Sequence, residues 1–184
     1  MNEKSGSKIT IKSTAREVAQ LAVFVALVIV AQLALSFVPG VEIVTLLFVS
    51  YSFTFRARRG MLAATAFALL RQLLFGFFPT VLILYLLYYN GLTLCFGLLG
   101  GRVKKPLKHL WWLVLVACLC TVGFTLLDNV ITPLWYGYTQ KAARAYFVAS
   151  LPFMFPQVLC TAATVGVLFF PLHKAFCLIK RKTP

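Results

Sequence analysis

Six apolar runs, separated by basic clusters or tight turns, constrain this chain more than any other feature. They cover residues 16–38, 41–55, 61–77, 81–99, 110–131 and 151–170. A backbone in hydrocarbon must satisfy its own hydrogen bonds, which an α-helix does within one segment. About 20 apolar residues suffice to cross the bilayer, and shorter runs lie at the limit. The expected fold is therefore all-α, an integral membrane bundle of six transmembrane helices. Composition points the same way: 61% of the 184 residues are hydrophobic and 12% are charged, with a mean hydropathy of +0.90. Soluble domains carry about 25% charge.

The expected organisation is a basic tail over 1–14, a membrane domain over 15–178 and a second basic tail over 179–184. The first apolar run is long enough to span and lacks a small-residue cleavage site, so no removable signal peptide is expected.

A net charge of +14 raises the question of nucleic acid, but its distribution answers otherwise. The cations form clusters between the apolar runs: Lys4 to Arg16, Arg56 to Arg59, Arg102 to Lys108 and Lys174 to Lys182. On alternate sides of six spans these segments hold fifteen basic residues, against only Lys141 and Arg144 opposite. Such asymmetry encodes topology, placing both termini in the cytoplasm and the chain in the cell membrane. The five cysteines lie in or beside apolar runs, form no CxxC pair and read as small core residues.

Acidic residues are scarce: Glu3, Glu17, Glu42 and Asp128. Glu42, Asp128 and Arg71 fall inside apolar segments, where an ionisable group costs about 2.5–3.5 kcal/mol and faces a partner or a watery cavity. Two readings stay open. Glu42 and Arg71 form a buried ion pair and Asp128 reaches interfacial water, or the three line a pocket open to the outside. Counting about 1.5 Å per residue, the polar groups gather in the outer half, Gln32 and Gln157 among them, with Asn90 near mid-depth. Tyr85, Tyr88, Tyr89, Trp135, Tyr136 and Tyr138 supply aromatic walls or a membrane belt. Apolar walls with a few convergent polar groups suit a small-molecule site. The candidate substrate-binding set is Glu42, Arg71, Tyr85, Tyr89, Asn90, Asp128, Asn129, Trp135, Tyr136 and Gln157.

Nothing nominates an enzyme. His109 and His173 lie at the cytoplasmic edge without a carboxylate nearby in sequence, and no nucleophile–base pair stands out. The chain carries no nucleotide-binding motif and no matched halves with broken helices, as a secondary transporter would. One outward pocket on six spans suits a capture subunit driven by others. A small transporter or channel of another kind is the alternative.

The basic leader followed by Ala22-xxx-Ala26, the run Pro39-Gly40-Val41-Glu42-Ile43-Val44-Thr45-Leu46-Leu47 and the cationic turn Arg56 to Gly60 resemble the substrate-binding (S) components of energy-coupling-factor (ECF) vitamin transporters. The resemblance implies a high-affinity micronutrient receptor, with the vitamin as its substrate and no covalently bound cofactor. It implies partners too: a transmembrane coupling subunit and two cytoplasmic ATPases that consume ATP. Ala22 and Ala26 would then be the docking face for the coupling subunit. The cargo expected first is cobalamin, with thiamine-type, queuosine-precursor and other vitamin ligands as alternatives.

Overall fold

The structure, a computed structural model, describes residues 3–35, 43–103 and 106–181, with side chains from residue 15 onward. The described residues form helices and connecting turns, without strands. They comprise α1 (Glu3–Leu35), α2 (Val44–Phe75), α3 (Pro79–Arg102), a 3-10 turn (Pro106–His109), α4 (Leu110–Trp135) and α5 (Gln140–Arg181). Four stretches among them are long and apolar enough to cross a membrane: Ala15–Leu35, Pro79–Arg102, Pro106–Trp135 and Gln140–Arg181. This is an all-helical protein of membrane type.

The element boundaries differ from the expected six runs in two places. The second and third runs occur together in α2, which is interrupted rather than continuous. Arg56 sits at φ 76° and ψ 167°, a conformation that breaks the helix. The arms on either side, 44–55 and 57–75, fold back on one another. A straight helix would separate Ser52 from Gly60 by about 12 Å, yet a Cβ on Gly60 would stand 2.8 Å from that of Ser52. Likewise the rings of Phe48 and Phe67 meet at 5.4 Å. Glycine at 60 allows this close crossing.

In the second place, residues 140–149, which lie between the fifth and sixth apolar runs, are helical and run straight into the sixth as α5, 42 residues long. At about 1.5 Å per residue that is about 63 Å, twice the roughly 30 Å of hydrocarbon. Alanines around Arg144 favour helix, and Pro152 and Pro156 are held within it.

The first arm of α2 is the core. Every residue from 44 to 55 is buried, so this short helix has no outward face. Phe24 of α1 packs against Phe48 and stacks on Tyr51 at 3.9 Å. Tyr89 of α3 meets Phe48 at 4.9 Å, and Phe169 of α5 meets Phe53 at 5.4 Å. Two of the hydroxyls enclosed this way bond within the helix, while Ser50 Oγ is buried without a hydrogen bond among the described residues. Ser52 donates to the Phe48 carbonyl and Thr54 to that of Ser50, the bond back one turn that serine and threonine make inside helices.

One end of the bundle collects the basic residues. Arg59 forms an ion pair with Glu17 of α1, and Lys180 of α5 donates to the Thr54 carbonyl at 2.8 Å. Gly97 and Gly100 of α3 lie against the backbone of Ala57 and Phe53, fixing α3 on the Arg56 turn. Because α4 starts at this end and α5 finishes there, Asp128 and Tyr146 lie toward the other.

Candidate functional site

At that other end a cavity of about 300 Å³ opens between α4 and α5. Thr125 and Asp128 face it from α4. Tyr146, Ser150, Met154 and Gln157 face it from α5. The α5 residues recur at about four-residue spacing, one face of a helix. The Tyr146 hydroxyl donates to one oxygen of Asp128 at 2.7 Å, and Thr132 donates to the other at 2.8 Å. A carboxylate offers about four acceptor positions. Asp128 is thus held in place with acceptor capacity left for a ligand's N–H or O–H groups. Phe153 and Phe124 add apolar wall.

Phe124 links this cavity to a second polar group. Its ring lies 4.8 Å from Tyr88 and 6.1 Å from Tyr85. Gln32 of α1 donates to the Tyr85 hydroxyl at 3.2 Å. The Arg71 guanidinium stands over the rings of Tyr85 and Phe75, at 4.6 and 5.0 Å from their centroids. Its Nε and Nη1 are buried and make no hydrogen bond. The cation is therefore stabilised by aromatic faces. The expected partner of Arg71, Glu42, lies outside the described residues.

The sequence-derived candidates separate into groups. Asp128 and Gln157 share the α4–α5 cavity, and Arg71 and Tyr85 share the aromatic cluster beside it. Tyr89 is deep in the core with Phe48 and Phe67. Asn90 turns to α2, where it exchanges hydrogen bonds with Thr65. Asn129 donates to Ser150 at 2.8 Å, helping to clamp the two helices. Trp135 and Tyr136 are exposed at the end of α4. Ala22 and Ala26 lie exposed on α1 beside Val23 and Val30.

Tyr146, Thr125 and Ser150 are the residues that the sequence did not single out. Their spacing with Gln157 becomes a signal only when 140–170 is read as one helix. Among the described residues no cluster of three or more His, Cys, Asp or Glu side chains comes together.

Fold and cavity together define a class: a small all-helical membrane protein with a cavity of apolar wall and a few polar side chains at the end away from its cationic rim. Comparison with protein-family models, curated proteins and solved structures finds no match to this chain.

Proposed function

We propose that this chain is the substrate-capture (S) component of an ECF-type vitamin transporter, energised by ATPases on partner subunits. The observation that carries the reading is the α4–α5 cavity, in which Asp128 is held by Tyr146 and Thr132 with acceptor capacity unused. In this reading the arms of α2 are the second and third of six spans, the termini and cationic rim are cytoplasmic, and the cavity opens outward. The exposed face of α1 around Ala22 and Ala26 receives the coupling subunit.

Cavities for small ligands span about 300–1,000 Å³. A volume of about 300 Å³ stands at the lower end, which favours a vitamin of one or two rings carrying amide, amine or hydroxyl donors. Cobalamin, the cargo expected first from the sequence, requires the aromatic outer segments to part, and it belongs in the test.

The test is uptake. Cells expressing this chain with a coupling subunit and its paired ATPases should accumulate one labelled vitamin. Accumulation should cease when the ATPases are inactivated or when this chain is omitted. Uptake by this chain alone, unaffected by ATPase loss, would instead mark a self-sufficient transporter.

A further inference from the structure

We propose that the basic end of the molecule holds an anionic phospholipid between the turn Pro106–His109 and the last turns of α5. A cavity of about 630 Å³ opens there. Leu107, Phe170 and Leu178 give it apolar walls, and Lys108, Lys174 and Arg181 give it cations. Phe170, Lys174, Leu178 and Arg181 recur at i, i+4, i+8 and i+11, so one face of α5 presents both kinds of group. Lys174 lies over the apolar wall itself, its Nζ 4.5 Å from the Phe170 ring centroid.

Among the described residues no carboxylate compensates this charge: none lines the cavity, and the ion pair they form joins Arg59 to Glu17 elsewhere on this end. Three cations around an apolar wall call for an anion with an apolar portion. Depth selects the source of that anion. Trp111 and Trp112, just past the turn, are 86% and 66% exposed. Paired exposed tryptophans at the start of a membrane helix mark the headgroup level. Basic pockets at that level between membrane helices suit anionic headgroups. The phosphate would rest among Lys108, Lys174 and Arg181, with an acyl chain along Leu107 and Leu178. This site is at the opposite end from the α4–α5 cavity, and the inference stands whether or not that cavity captures a vitamin.

Native mass spectrometry of the full chain, offered equal phosphatidylglycerol and phosphatidylcholine, tests it. The wild-type protein should retain phosphatidylglycerol preferentially. Lys174→Gln/Arg181→Gln should weaken that retention about thirty-fold, the effect of two basic side chains near an anionic surface. Lys108→Gln, on the separate turn, should weaken it about five-fold and provides the reading if the double variant does not fold. Lys141→Gln/Arg144→Gln removes the same charge at the other end and should change nothing. Equal retention of the two lipids, or equal loss in the control variant, would overturn the proposal. Displacement by inorganic phosphate would overturn it too, by assigning the cations to a soluble anion.

Discussion

The Tyr146 hydroxyl donates to the Asp128 carboxylate at 2.7 Å and ties the start of α5 to the end of α4. That bond places a carboxylate at a cavity wall instead of letting it reach for bulk water. Tyr146→Phe should leave Asp128 with Thr132 as its one donor among the described residues. We expect a stability loss of about 1 kcal/mol, read by thermal unfolding in detergent, and a measurable fall in ligand affinity. Asp128→Asn should reduce affinity at least ten-fold while leaving the helical circular dichroism unchanged. Full affinity in Asp128→Asn would remove this carboxylate from the site.

The Asp128–Tyr146 relationship also shows what the sequence could and could not convey. Asp128 was legible because an acid in an apolar run is costly wherever it lies. Tyr146 was not, because it precedes the apolar run at 151–170 and its role depends on α5 beginning at Gln140 and continuing through Pro152 and Pro156. The Arg56 to Arg59 cluster was legible as a boundary. Its pairing with Glu17, 42 residues away, required the fold. Arg71 illustrates a further limit: burial in apolar sequence signals a partner, but not that the partners seen are the rings of Tyr85 and Phe75. Polar residues grouped in one candidate set also diverge, as Asn90 serves the α2–α3 contact while Gln157 faces the cavity.

Glycine spacing on α3 makes a second prediction. A Cβ at Gly97 would collide with the backbone of Ala57, whereas one at Gly91 would meet nothing within 4 Å. Gly97→Ala should cost about 1–3 kcal/mol or more through overpacking, lowering the melting temperature. Gly91→Ala should hold or raise it, since alanine is the better helix former. Equal behaviour of the two variants would contradict the packing of α3 on the Arg56 turn.

Arg56 supplies a third. Its positive φ of 76° is strained for any residue with a Cβ. Arg56→Gly should therefore be at least as stable as wild type, even though glycine carries a backbone entropy cost of about 1 kcal/mol. Arg56→Val should be clearly less stable. A melting temperature for Arg56→Gly below that of Arg56→Val would show that the chain does not reverse there.

The exposed alanine face of α1 gives a fourth. Ala22→Trp and Ala26→Trp place large side chains on a surface that the described residues leave exposed. Each should abolish co-purification with a coupling subunit and leave ligand affinity within two-fold of wild type. Equal loss of both functions in a folded variant would show that α1 is not a docking face.

The central claim, capture of a small vitamin, is tested most directly by calorimetric titration of the purified chain against a panel of vitamins, cobalamin included. The account predicts tight one-to-one binding of a single compound by the wild-type protein, and loss of that heat in Asp128→Asn. A folded sample that binds no compound in the panel, or binds one equally well without the Asp128 carboxylate, would contradict it.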